Sequence, residues 1–431
     1  VYNLGMVIGE GNPYAVISND RAAATTGTFL SILTGGIRFG GSPGEQGQTL
    51  LVQNAGNNVA IQVNGPLVLS AATMEGVPTY NHVRQDPNLT VYGQVTGGAP
   101  LIHSGGGTLE LGNGFTSFAN GINTFTGGLQ NVQGTITVRG TTTGTPANFA
   151  TLFSGINNGG IGAGDVTMYG GTLSLLIDGA NTITRERYVI GNVAGGNNLI
   201  VNGASSITVN RNIAGSATNK HLAFKDLTIG STLLAVTASN SYVLEINAAT
   251  NLTGTPLFNI GNTMLLNGSV SDGAGSTAGT QGQALIKGGV GDLWLNGASS
   301  TFGGLYAGTV GTNGLGIVVN GGLLRLGDVN SETPTLNLGT MLRSSTLRIN
   351  PTGTMRLAGT TVTFGAGQVE QLSVNPQLSV LRLANTGVTQ ANLAAMFSTN
   401  SSGVIGLEGI TYASNLNLNT IGNGTFYVGA N

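Results

Sequence analysis

Short stretches in which every second residue is apolar recur along the whole chain, and they constrain the fold more than any other feature. They include Val59-Ile61-Val63, Leu173-Leu175-Ile177, Leu199-Val201, Ile207-Val209, Leu227-Ile229, Tyr242-Leu244-Ile246 and Phe258-Ile260. The series continues through Leu293-Leu295, Leu347-Ile349, Met355-Leu357, Val362-Phe364 and Leu416-Leu418. A period of two belongs to β-strands that bury one face. Between them stand Gly, Asn, Ser, Thr and Asp, which accept positive φ or bond their own backbone in turns. In one stretch strands are expected to start at Leu336, Leu347, Met355, Val362, Leu372 and Leu381, at steps of about nine residues. Three such strands make a coil of about 27 residues, which stacks on its neighbours as a solenoid repeat does. The expectation is an all-β chain folded as a right-handed parallel β-helix, with about three strands per coil and Asn or Thr ladders at some turns. At most one short helix is expected, over 386–397, where Thr389 can cap a run of Ala and Leu at helical spacing. Some 16 coils spaced about 4.8 Å apart would make a rod of order 75 Å.

Composition agrees with a stacked coil. The chain has 431 residues, 73 of them Gly, more than twice the usual share of about 7%. Charged residues are 7%, against about 25% in ordinary domains. With 40% hydrophobic residues the chain is rich enough in apolar side chains to bury a large core and to stay clear of disorder.

A longer repeat lies over the short one. Residues 101–112 read LIHSGGGTLELG, and residues 285–296 read LIKGGVGDLWLN. The first is followed by Asn123-Thr-Phe-Thr-Gly-Gly-Leu129 and Gly134-Thr-Ile-Thr-Val-Arg-Gly140, the second by Ser300-Thr-Phe-Gly-Gly-Leu305 and Asn320-Gly-Gly-Leu-Leu-Arg-Leu-Gly327. These blocks resemble the autotransporter-associated β-strand repeat, whose pattern runs KxGxGTLxLxGxNTYTGGTxVxxGTLxLG. In register with it stand Lys287, Gly289, Gly291, Leu293, Leu295, Gly297, Gly303 and Gly304. The departures are His103 for the usual Lys, Asp292 for the usual Thr, and an insert at Thr309–Gly316. The resemblance implies a right-handed β-helix from an exported bacterial protein, cell-surface or secreted, and it carries no catalytic residues. It divides the chain at the repeats. Coils over 1–100 contain a polar loop insert near 76–98, including His82–Pro87; the stretches 101–284 and 285–431 each begin with a repeat, all within one continuous solenoid.

Several function classes are weakened by what the chain lacks. Its 15 basic and 17 acidic residues give a net charge of −2, and Arg185-Glu186-Arg187, the densest basic stretch, is interrupted by a carboxylate. A nucleic-acid partner needs a basic stripe to displace counterions, so none is expected. No apolar run approaches the roughly 18 residues of a membrane-spanning helix. There is no cysteine, which excludes disulfides and thiolate metal sites and suits export through an oxidising compartment. The chain begins at Val1 without a signal peptide, so a longer parent with targeting segments is expected.

A lyase or hydrolase on this fold would need an acidic cation cluster beside a basic proton acceptor. Asp165, Asp178, Glu186, Asp226 and Asp292 are the candidates, and their spacing describes no shelf of acids. His82, His103 and His221 are too far apart for a zinc pair. Lys220-His221 and Lys225-Asp226 form the densest local charge cluster and suggest an ion pair at a strand edge. The run Gly288–Trp294 approaches a Ca²⁺-binding nonapeptide, but its Asp falls one place early. No catalytic, cofactor or metal residue is therefore expected. Trp294 alternates with Leu293 and Leu295, so it should face outward if they face the core, as an interface or glycan contact.

The expected function is structural: a non-enzymatic protein of the bacterial exterior that self-assembles into a fibre, filament or surface layer. The strand-like stretches 1–7 and 424–428 read as uncapped edges, which favours a homo-oligomer or homopolymer. The alternative is an adhesin or autotransporter passenger that binds glycans or host surfaces, and a third is a polysaccharide lyase or hydrolase.

Overall fold

The computed structural model describes residues 6–8, 14–19, 29–33, 35–39, 48–54, 59–69, 81–85, 88–112, 123–140, 157–158, 161–177, 186–191, 196–211, 218–273, 282–297, 300–303, 315–327, 335–337, 345–359, 361–363, 368–371, 379–385, 395–397, 401–407 and 426–430. They fall into two compact units, residues 1–225 with 238–243 and residues 226–237 with 244–431. Among the described residues every strand pairing is parallel, and each unit is a parallel β-helix with three strands to a coil.

In the first unit the chain passes in rotation through parallel stacks. Met6–Ile8, Ile37–Phe39, Leu67–Leu69 and Val95–Gly97 form one. A second runs from Tyr14–Asn19 through Leu101–Ser104 to Leu199–Val201, and a third from Phe29–Leu33 through Thr108–Leu111 to Ser205–Asn210. Later coils form another stack from Asn157–Asn158, Glu186–Ile190 and Lys220–Phe224. Register partners make columns of like side chains. Ile61, Leu89, Leu109, Ile136, Leu173 and Ile207 form one; Val63, Val91, Leu111, Val138, Leu175 and Val209 form another. All twelve are buried. Each contributes on the order of 1.5–3 kcal/mol by leaving water, so the ladder rather than any one rung holds the coils together.

In the second unit the column Leu244, Met264, Leu293, Leu324, Met355, Leu381 and Ile405 is fully buried, at steps averaging about 27 residues. This is the coil length expected from the sequence. Ile246, Leu266, Leu295, Leu326, Leu357 and Leu383 run beside it, also buried. The expected asparagine ladder follows directly after these strands. Asn296 Nδ2 donates to Asn267 Oδ1 at 3.1 Å, and Asn267 Nδ2 donates to Asn247 Oδ1 at 3.3 Å.

The two sequence repeats build the same local corner. Each is a pair of short strands, Leu101–Ser104 with Thr108–Leu111 and Leu285–Gly288 with Asp292–Leu295, joined by glycines that include Gly105 and Gly289 at positive φ. A polar side chain is tucked beneath each corner. His103 is buried with Nδ1 3.0 Å from Asn131 Oδ1. Lys287 is buried, and its Nζ donates to the carbonyls of Gly288, Gly289 and Gly321 at 2.7, 3.0 and 2.9 Å. The next coil presents a glycine at positive φ over each: a Cβ on Gly134 would lie 3.0 Å from His103 Cε1, and one on Gly322 would lie 2.8 Å from Lys287 Nζ.

Residues 81–85, expected within a polar loop, are the strand Asn81–Gln85, paired on one side with Gln48–Val52 and on the other with Leu101–Ser104. Strand pairing uses the backbone, and a polar composition does not prevent it where one residue, Val83, occupies the register position of Leu50 and His103. In the stretch expected to be helical, Ala395 and Met396 are helical and Phe397 bridges to Val369, while 386–394 lie outside the described residues.

Candidate functional site

The strand Asp292–Leu295 sends Leu293 and Leu295 into the core, and Asp292 and Trp294 lie on the outer side, half-buried. The same alternation repeats on the next three coils. Leu324 and Leu326 flank Arg325, Met355 and Leu357 flank Arg356, and Leu381 and Leu383 flank Arg382. Each arginine is half-buried on the outer side. Backbone register then aligns them: Trp294 pairs with Arg325, Arg325 with Arg356, and Arg356 with Arg382. Adjacent members stand one inter-strand spacing apart, about 4.8 Å, so Trp294, Arg325, Arg356 and Arg382 occupy one column of backbone positions along the stack.

The row has internal structure. Arg325 lies over the Trp294 ring, its Cζ 5.2 Å from the centroid, within range of a cation–π contact. Asp292 stands at the same end. Its carboxyl is pushed up by burial and pulled back by Lys287, by the Trp294 indole, and by Arg325 and Arg382. Burial also lowers the Lys287 ammonium to about 8, partly offset by Asp292. Like charges at directly opposed positions of neighbouring strands destabilise the pairing. On other strands outward ion pairs join neighbouring coils: Arg139 pairs with Glu110 at 2.8 Å and Arg348 with Glu370 at 2.6 Å.

The acids and histidines singled out in the sequence are taken up locally. Asp165 is exposed and accepts from Asn198 Nδ2 at 3.0 Å. Asp226 accepts from the Ala249 N–H at 2.7 Å, fixing a turn. Glu186 pairs with Lys220 at 2.7 Å and accepts from the Tyr188 hydroxyl at 2.5 Å. The sequence places Lys220 in a cluster with His221, Lys225 and Asp226 at a strand edge; its ion-pair partner is instead Glu186, one coil away. The pair is buried, because the register that aligns Tyr188 with Leu222 carries Glu186 and Lys220 on the same buried side. Lys225 is exposed. His103 lies under its corner, His221 is buried opposite Arg187, and His82 is a backbone partner of Ile102. Asp178 lies outside the described residues. Among the described residues no group of three or more His, Asp or Glu side chains could hold a metal ion, and no helix is long and apolar enough to cross a membrane.

Of the row, sequence reasoning singled out Trp294 alone. The signal for the rest was present: Leu-Trp-Leu at 293–295 is followed by Leu-Arg-Leu, Met-Arg-Leu and Leu-Arg-Leu centred on 325, 356 and 382, each about one coil further on. A further triplet, Leu347-Arg348-Ile349, falls between them on another strand of the coil and hides the period. Compared with known proteins, the chain matches no family model, no curated protein and no solved structure.

Proposed function

We propose that this chain is a non-enzymatic structural solenoid of the bacterial exterior, whose coils pack side by side into a fibre, filament or surface layer. The observation that carries this reading is an uncharged outer column in the first unit. Ile102, Gln130, Thr167 and Ile200 are register partners, all half-buried on the outer side. A protein that stays dispersed normally clothes such faces in mixed charge, roughly 25–35% of surface residues. A column of aliphatic and amide or hydroxyl side chains is suited to lateral contact with a second copy. The local uptake of Asp165, Glu186 and Asp226 in turn and core bonds supports the absence of catalysis. The repeat resemblance supports the location.

Electron microscopy and sedimentation of purified protein test this. Filaments or sheets that dissolve when Thr167→Lys is introduced are the expected result. Dispersed single particles at high concentration would remove the assembly reading. A second reading, a glycan-binding adhesin, is favoured by the outward row from Trp294 to Arg382.

A further inference from the structure

We infer that Asn320 is a site of spontaneous deamidation, converted to aspartate and isoaspartate through attack by the Gly321 nitrogen. The modification is independent of the structural role and of assembly. In an Asn–Gly pair the second residue has no Cβ to hinder its nitrogen from reaching the side-chain carbonyl carbon. Among the described residues there are five such pairs, beginning at Asn64, Asn202, Asn267, Asn296 and Asn320. The fold separates them. Ring closure turns the peptide toward the side chain and needs room around the glycine. A Cβ on Gly65, Gly203, Gly268 or Gly297 would overlap the backbone of a neighbouring coil. One on Gly321 meets nothing nearer than the Gly289 carbonyl at 3.3 Å and the Thr352 hydroxyl at 3.8 Å. Asn320 is also exposed, whereas Asn296 is buried. Asn202 is exposed too, but the Gly203 N–H is tied to the Met168 carbonyl at 3.2 Å.

The neighbouring coil activates the site. Asn320 and Asn350 follow directly after Leu315–Val319 and Thr346–Ile349, whose register sets Val319 opposite Ile349. Asn350 Nδ2 donates to Asn320 Oδ1 at 2.6 Å, the atom on which negative charge develops as the nitrogen attacks. Asn267 has a similar donor in Asn296, but its glycine is packed. The Asn320 backbone is held on both sides: its N–H donates to the Lys287 carbonyl at 2.8 Å, and its carbonyl accepts from the Thr352 hydroxyl at 3.2 Å. Hydroxide removes the Gly321 amide proton, and the nitrogen bonds to Asn320 Cγ. The Cγ–Nδ2 bond breaks, and the leaving nitrogen takes a proton from water and departs as ammonia. Water then opens the succinimide at either carbonyl. Overall one water is consumed and one ammonia released, with no oxidation or reduction. Opening at the backbone carbonyl leaves isoaspartate, which inserts a carbon into the chain beside Gly321. The Gly321 carbonyl holds Lys287 Nζ at 2.9 Å, so the modification strikes at the corner that Lys287 closes.

The whole chain, held at mildly alkaline pH, sampled over time and mapped by peptide mass spectrometry, tests the inference, because exchange of an amide –NH₂ for –OH raises the peptide mass. In the folded chain Asn320 should convert at least about tenfold faster than Asn64, Asn202, Asn267 or Asn296. In guanidinium chloride, where the fold no longer separates the five, their rates should draw together. Gly321→Ala should slow conversion by about tenfold through hindrance at the nitrogen. Asn350→Ala, which removes the donor to Oδ1, should slow it by about threefold or more. Circular dichroism checks the fold of each variant, and the ranking of the five sites in the unaltered chain keeps the test decisive if a variant fails to fold. No conversion at Asn320, or an equal rate at any of the other four in the folded chain, would overturn the assignment. An equal or faster rate in Asn350→Ala would overturn the activation by the neighbouring coil.

Discussion

Arg325 covers one face of Trp294, with Cζ 5.2 Å from the ring centroid, although the two residues lie a full coil apart in sequence. Their contact depends on the register between Asp292–Leu295 and Gly322–Leu326, which sets Trp294 opposite Arg325. Removing the guanidinium uncovers the indole. Arg325→Gln should shift the tryptophan emission to longer wavelength, with a stability loss of about 0.5–1 kcal/mol. An unchanged emission spectrum would show that the ring is not covered in solution.

The buried pair of Glu186 and Lys220 predicts an asymmetric double-mutant cycle. Lys220→Met alone leaves a carboxylate in the core and should cost about 3–5 kcal/mol. Glu186→Leu with Lys220→Met removes both charges, and it should recover most of that loss. Urea denaturation midpoints of the four proteins measure it. Additive losses would mean that the two groups do not compensate one another.

Lys287 predicts a stability that rises with pH in an alkaline window. Its pKa falls from 10.5 in the ordinary lysine to about 8 in the folded chain, chiefly by burial. Between those values the unfolded chain binds more protons than the folded one, so stability increases as pH increases. The gain is complete above 10.5 and is lost as pH falls through about 8. Lys287→Met should remove this slope. It should also cost about 1–3 kcal/mol for each of the corner carbonyls left without a donor. Urea midpoints near pH 7.5 and near pH 10, compared for the two proteins, read the difference. The same pH response in both would count against a depressed Lys287.

Gly322 should tolerate no side chain. Its φ is +62°, and a Cβ would lie 2.4 Å from the Gly291 carbonyl and 2.8 Å from Lys287 Nζ. Gly322→Ala should cost about 2–4 kcal/mol by thermal or urea denaturation, through left-handed strain and displaced backbone. Gly106→Ala, where a Cβ meets nothing within 4 Å, should change stability by about 0.5 kcal/mol or less. Comparable losses in the two would sink the corner argument.

Much of the fold was legible because the inward residue pattern is written in every strand. Leu336, Leu347, Met355, Val362 and Leu381, expected near strand starts, all lie in strands, while Leu372 lies outside the described residues. The corner lysine was legible through the repeat, but not its three carbonyl partners, since Gly321 reaches it from the next coil. The arginine row was less legible for a related reason. Outward residues align only after the length of each corner is known, and successive coils in the column from Leu244 to Ile405 take between 20 and 31 residues. Glu186 and Lys220 were hidden by a local reading of charge, which sees Arg185 and Arg187 as the nearest partners of Glu186.

The bonds joining coil to coil in the second unit, such as those between Gly353–Gly359 and Val380–Asn385, run along the stacking direction rather than across it. A pull along that direction therefore does not load them all at once. It concentrates on the outermost coil, peels it, and passes to the next, as a zip opens tooth by tooth. Each event would free about 27 residues, or about 90 Å of extended chain, so the unit would give way under tension in a regular staircase instead of a single rupture.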